Sequence, residues 1–242
     1  SVWFMDDWAK EADVDETLTL ARNAVWNNEY QKVYPFPGRE EMHPDIWTAN
    51  KSIAHIRNAD TETPLFGWVS FSGPHYPMDA PQSYLDRVKR DQLTPRIYRE
   101  DEFDSPDRIQ HKSYHGHGNI DGANHAPDHG CKNYTDDYWQ NMRVNYNANV
   151  LLIDDMIGKI LKTAYEKFNE NLLVIFTADH GEMLGNHGLW GKHNCAYEEV
   201  WHIPLFVRFP YGDRKGTIDR SLVNSLDLFP TCLEAAGVKA PA

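Results

Sequence analysis

The chain has 242 residues, 41% hydrophobic and 12% aromatic, enough to bury the core of one large domain. Its formal net charge of −12, with no basic stripe, argues against nucleic-acid binding, because phosphate contacts need clustered Lys and Arg. No apolar run approaches the roughly 18 residues that suggest a membrane-spanning helix, so no membrane partner is expected. Three widely spaced cysteines, Cys131, Cys195 and Cys232, give no CxxC pair, no disulfide framework and no pointer to a compartment.

Residues 1–40 are acidic, Trp-rich and without a clear period, and Tyr34-Pro35-Phe36-Pro37-Gly38 reads as an extended segment entering a turn. From Asp45 to Arg57 the apolar residues Ile46, Ala49, Ile53 and Ile56 recur at helical spacing, with Pro44 placed for a first turn. Leu65-Phe66-Gly67-Trp68-Val69-Ser70-Phe71 is a nearly continuous apolar run of strand length, as in a parallel sheet buried on both faces. Ser72-Gly73-Pro74-His75-Tyr76-Pro77 then forces a loop.

Residues 90–135 are charged, rich in Gly and His, and aperiodic. They are expected to form a long surface insertion, and insertions of this length are often functional. His111, His115, His117, His125 and His129, with Cys131 close by, fit no standard zinc spacing; a solvated loop bordering a pocket is the favoured reading over a zinc site.

Tyr138 to Phe168 is predicted as one long helix, with Val150, Ile153, Ile157, Ile160, Leu161 and Ala164 at three- and four-residue spacing. Leu172-Leu173-Val174-Ile175-Phe176-Thr177-Ala178 and Ile203-Pro204-Leu205-Phe206-Val207-Arg208-Phe209 read as two more strands. A last helix is expected from about Ser221 to Ala236, with Gly237 at its C-terminus. This order implies an α/β layered fold with a largely parallel sheet flanked by helices.

The chemistry concentrates in Asp179-His180-Gly181-Glu182-Met183-Leu184-Gly185. In open α/β sheets ligands bind beyond the carboxyl ends of strands, and Asp179 follows directly on one. A carboxylate and an imidazole at that point are a natural metal-ligand pair; a strand-end Asp capping the next turn, beside an exposed His, is an equal alternative from this segment alone. Lys192 follows between glycine-rich turns. A lone Lys is usually a solvated surface residue, whereas one near a metal can hold an ester oxygen or neutralise developing negative charge. A bound cation would also reconcile the acidic chain with an anionic substrate.

The block from Asp179 to Lys192 closely resembles the signature of the sulfatase family, in the alkaline-phosphatase superfamily, in its Asp-His form. Tyr197-Glu198-Glu199 followed by Ile203-Pro204-Leu205, Ile153-Asp154-Asp155-Met156-Ile157-Gly158, Ser70 to Pro77, and Asp227-Leu228-Phe229-Pro230-Thr231 with Ala236-Gly237 resemble further family blocks in the family's order. The resemblance implies an alkaline-phosphatase-like α/β fold, with residues 1–242 forming part of the large catalytic domain. It implies hydrolysis of a small-molecule or saccharide sulfate monoester to alcohol and sulfate. By the same resemblance Asp179 and His180 are metal ligands, of Ca²⁺ with Mn²⁺ left open. Lys192 contacts the sulfate and leaving-group oxygens, and His75 is general acid or orients the ester.

The chain also departs from the family pattern. Sulfatases carry a Cys or Ser in a Cys/Ser-x-Pro/Ala-x-Arg motif, oxidised to formylglycine. Cys131 is followed by Lys-Asn-Tyr-Thr, Cys195 by Ala-Tyr-Glu-Glu and Cys232 by Leu-Glu-Ala-Ala, and no Ser motif matches. The acidic first strand and the smaller C-terminal subdomain are also missing. The expectation is an internal fragment of a longer enzyme, inactive alone. The competing readings are a phosphonate or phosphate ester hydrolase on the same scaffold and a non-catalytic metal- or sulfate-binding module.

Overall fold

The structure, a computed structural model, describes residues 2–12, 14, 35–104, 134–189, 191–192 and 197–239. Its scaffold is the pairing of helix α2 (Pro44–Asn58) with helix α4 (Asp136–Phe168). Helix α1 is Val2–Glu11, and a short helix α3 (Gln82–Leu85) also lies against α4. The long helix extends two residues before the sequence expectation because Thr135 caps it: its hydroxyl accepts the Tyr138 N–H at 3.1 Å, and Asp136 and Asp137 sit at the positive end of the helix dipole.

The core follows the four-residue stripe of α4. Ala148, Leu152, Met156 and Ile160 pack on Ile46 and Ala49 of α2 and on Ala80 and Tyr84. Of the four asparagines on the same helix, three, two of them buried, form a ladder. Each turns its side-chain amide onto the carbonyl four residues back: Asn145 to Asn141, Asn147 to Arg143 and Asn149 to Asn145. This satisfies donors that burial would otherwise leave costly. A separate cluster joins Trp8, whose indole N–H donates to the Met42 carbonyl at 2.8 Å, to Phe36.

Strand β1 (Val174–Thr177) pairs with strand β2 (Leu205–Arg208), with a short helix α5 (Glu198–Trp201) between them. The pairing is antiparallel, where a largely parallel sheet was expected. Residues 65–71 are extended but pair with no strand among the described residues, and Phe66 and Trp68 stand exposed. The apolar run was legible; pairing needs a neighbouring strand, and among the described residues none lies beside it. Helix α6 (Leu228–Ala235) is shorter than expected. It is preceded by a 3₁₀ turn, Ser225–Asp227, with a capping box between Asn224 and Asp227. It ends as predicted at Gly237: Val238 N–H donates to Leu233 O at 2.8 Å and Gly237 N–H to Glu234 O at 2.9 Å.

Among the described residues no helix is long and apolar enough to cross a membrane. The histidine cluster from His111 to His129, with Cys131, lies outside the described residues, as does Cys195. Cys232 is half-buried with a free thiol.

Candidate active site

The site forms where β1 ends. The chain leaves the strand at Ala178, and Asp179 and His180 emerge at its carboxyl end. Asp179 is 88% exposed in its side chain; one carboxylate oxygen accepts the His180 backbone N–H at 2.9 Å, and the other lies 3.7 Å from His180 Nε2. The imidazole donates Nδ1–H to the Gly181 carbonyl at 2.8 Å, which leaves the Nε2 lone pair facing the carboxylate. That tautomer is the one a metal-bound imidazole uses.

From the other side of the site comes the loop after residues 65–71. His75 Nε2 lies 2.9 Å from Lys192 Nζ, and the His75 and His180 rings meet edge to face at 6.2 Å between centroids. His75 donates Nδ1–H to the Tyr76 carbonyl at 2.9 Å, so its Nε2 accepts from the Lys192 ammonium. Burial holds the His75 imidazole below its ordinary value, the Tyr76 bond opposes this, and the positive charge of Lys192 adds to it. His75 is therefore neutral at pH 7, and Lys192 carries the proton of the pair. All four residues singled out in the sequence are thus brought together from two loops far apart in the chain.

Lys192 is held by a feature the sequence did not reveal. Glu182 Oε1 accepts the backbone N–H of Gly191, the neighbour of Lys192, and that of Leu184 at 3.4 Å. Burial pushes the Glu182 carboxyl up to about 7, while those N–H groups and Lys192 pull it back. The turn between is pinned from outside. Arg96 donates to Gly185 O at 3.3 Å, Arg143 donates to Leu184 O at 3.3 Å, and Asn186 accepts the Ile97 N–H at 3.1 Å. His187, in the same turn, is engaged by other residues. Its Nδ1 meets Glu102 Oε1 at 2.5 Å, its Nε2 lies 3.6 Å from Glu199 Oε1, and its ring stacks on Tyr197 at 4.1 Å. The stretch 93–104, read from sequence as the start of a surface insertion, is therefore fastened to the signature turn. The only sequence signal for this was the density of charge around 96–102.

One carboxylate and one imidazole fit a divalent cation as two ligands of a larger set. Among the described residues, no group of three or more His, Cys, Asp or Glu side chains is placed to hold one. Hard cations such as Ca²⁺ take roughly six to eight oxygens.

The chain is thus an α/β protein with an Asp-His pair at a strand end and a Lys-His pair facing it. The sulfatase family profile matches residues 4–238, and the chain belongs to that family. It is 27% identical over 243 residues to the uncharacterized sulfatase YidJ of Escherichia coli, covering 99% of this chain and 46% of the relative. Among solved structures it superposes on the phosphonate monoester hydrolase of Agrobacterium radiobacter with a TM-score of 0.70 at 19% identity, covering 91% of this chain and 46% of that one. It also superposes on the protein BT4656 in complex with its substrate D-glucosamine-2-N,6-O-disulfate, with a TM-score of 0.60 at 20% identity, covering 82% and 49%. These two likenesses show the fold. The chain spans about half the length of the curated relatives it matches. Sulfatases generally use a divalent metal and a formylglycine.

Proposed function

We propose that this chain carries the cationic and metal-binding side of a sulfuric ester hydrolase that cleaves a sulfate monoester to an alcohol and sulfate. The observation that carries the reading is the Lys192–His75 contact at 2.9 Å beside the Asp179–His180 pair, in a chain of the sulfatase family. In the reaction the S–O bond to the alcohol breaks, water supplies the new oxygen on sulfur, and the departing alkoxide takes a proton.

Asp179 and His180 would hold the cation, Ca²⁺ with Mn²⁺ as the alternative, and a bound cation supplies charge neutralisation at the sulfuryl oxygens. Lys192, protonated, places its ammonium against the sulfuryl and leaving-group oxygens. His75, neutral and sharing a hydrogen bond with Lys192, fixes the direction of that ammonium and accepts from it as the leaving oxygen draws a proton. Of the two expected roles for His75, general acid or orienting the ester, this reading takes an orienting one. An imidazole held below its ordinary value is a poor proton donor at pH 7 and a good orienting acceptor. In sulfatases generally a formylglycine supplies the attacking oxygen, and Cys131, Cys195 and Cys232 do not sit in its motif.

A saccharide sulfate is the favoured substrate class, since a protein of the same fold was solved with a sulfated glucosamine. A phosphonate monoester is the second reading, favoured by the superposition on a phosphonate monoester hydrolase. The test compares turnover of aryl sulfate, glucosamine 6-sulfate and aryl phosphonate monoesters by the full gene product. It is joined to calorimetric titration of Ca²⁺ and Mn²⁺ into the chain and its Asp179→Ala variant. Preference for sulfate, with cation binding weakened in the variant, supports the reading. Preference for the phosphonate, or binding indifferent to Asp179, contradicts it.

A further inference from the structure

We propose that Asp45 is a positioning residue for His75, holding the loop that presents the imidazole to Lys192; this rests on the site reading above. Asp45 sits in the first turn of α2, where a carboxylate would ordinarily face solvent near the helix dipole. Here it is 1% exposed and turned inward. Its Oδ1 accepts the backbone N–H groups of Ser72 at 3.0 Å and Gly73 at 3.2 Å, and the Ser72 hydroxyl at 3.3 Å. Only Pro74 separates this clasp from His75.

The packing leaves no slack. A Cβ on Gly73 would lie 2.4 Å from Asp45 Oδ2 and 3.2 Å from Ile153 Cδ1, so the loop backbone can meet the carboxylate only through a glycine. Asp45 is itself fixed from behind: its N–H donates to His43 Nδ1 at 3.2 Å, and the His43 ring packs edge-on to Phe36 at 5.0 Å between centroids. A buried carboxylate accepting two backbone N–H groups makes charge-assisted bonds, stronger than neutral ones. It therefore ties the loop to the packed α2–α4 core. His75 is thereby held within hydrogen-bond reach of Lys192.

The test reads the loop directly and needs no turnover. In the chain itself, histidine acylation by diethyl pyrocarbonate is followed by mass spectrometry, together with amide hydrogen exchange of residues 72–77. His55, exposed on α2 away from the loop, is the internal standard. Asp45→Ala is expected to raise His75 labelling on the order of tenfold and to speed exchange at 72–73, as loss of a charge-assisted contact implies. His55 labelling and the far-ultraviolet spectrum should not change. Asp45→Asn, whose Oδ1 still accepts both N–H groups, should restore most of the protection. Gly73→Ala, which pushes the loop off the carboxylate from the other side, should copy Asp45→Ala and serves if that variant does not fold. Unchanged His75 labelling in either folded variant, or a rise shared by all histidines, overturns the proposal. If His75→Ala left turnover intact, the catalytic reading would fall, while the labelling result would stand on its own.

Discussion

Gly181, between His180 and Glu182, allows a demanding test of the site's construction. Its N–H donates to Val200 O at 2.8 Å, and the next N–H, of Glu182, donates to Glu199 O at 3.1 Å, so the signature turn is clamped to α5. A Cβ at Gly181 would fall 1.9 Å from Glu199 O and 3.0 Å from its carbonyl carbon. Ordinary C···O contacts are about 3.3 Å, so Gly181→Ala forces the two backbones roughly 1.4 Å apart. Neither is the movable end of a side chain, and both hydrogen bonds are lost. Two bonds at about 1 kcal/mol each and overpacking strain of about 1–2 kcal/mol give a destabilisation of about 3 kcal/mol. At about 2–4 °C per kcal/mol for a chain of this size, the melting temperature should fall by about 6–12 °C. The assay is a thermal melt of the chain by circular dichroism. Gly158→Ala is the control: nothing lies within 4 Å of a Cβ there, mid-way along α4, so it should raise the melting temperature slightly. A Gly181→Ala variant melting with the parent would refute the clamp.

Other predictions concern the charged groups and the exposed strands. Glu182 titrates near 7 in the folded chain and near 4.5 when unfolded. The folded state thus binds more protons between those values, and stability falls as pH rises through the window by on the order of 3 kcal/mol at most. Urea unfolding in chelator between pH 4.5 and 8 should show this slope, and Glu182→Gln should flatten it. For His75 the sign is opposite: its folded value lies below the unfolded one, so its contribution is present above the unfolded value and is lost as pH falls through the folded one. Nuclear magnetic resonance should find His75 titrating below an ordinary histidine. In Lys192→Met its midpoint should rise yet stay depressed, since burial is the larger cause; a midpoint that did not move would argue against the Lys192 contact. Leu152→Ala, emptying the α2–α4 core, should cost about 2–5 kcal/mol in chemical unfolding. Phe66, Trp68, Phe176 and Phe206 are exposed along strand-like backbone. The chain should therefore self-associate with rising concentration in sedimentation velocity, and Phe206→Lys on β2 should weaken this.

The parts legible in the sequence were those set by local periodicity. The existence of α4 and the Gly237 terminus follow from side-chain spacing and one turn, but the face that α4 buries was misplaced. Of the expected stripe Ile160 and Ala164 are buried while Val150 is exposed, and the core runs instead through Ala148, Leu152 and Met156, where a small Ala and a flexible Met gave a weaker apolar signal than the β-branched residues beside them. The strand end at Asp179 and the loop that begins after residue 71 were also legible, because an apolar run broken by Gly, Pro or a charged residue has few alternatives. What the sequence could not display is how loops are tied. Asp45 looked like a first-turn helix residue, and Glu182 carried no assigned role; their carboxyls bond backbone groups 27 and 9 residues away. The pairing of residues 65–71 was misjudged for the same reason, since an apolar run specifies burial without naming the strand that provides it.

The central claim is that Lys192 and His75 act on the ester as a pair whose proton resides on Lys192. Its most direct test is the turnover of an aryl sulfate by the full gene product carrying Lys192→Ala, His75→Ala or both. The account predicts that each single substitution lowers kcat by about a hundredfold or more and that the double variant is little worse than Lys192→Ala alone, as coupled residues behave. Independent, multiplying losses, or full activity without Lys192, would contradict it.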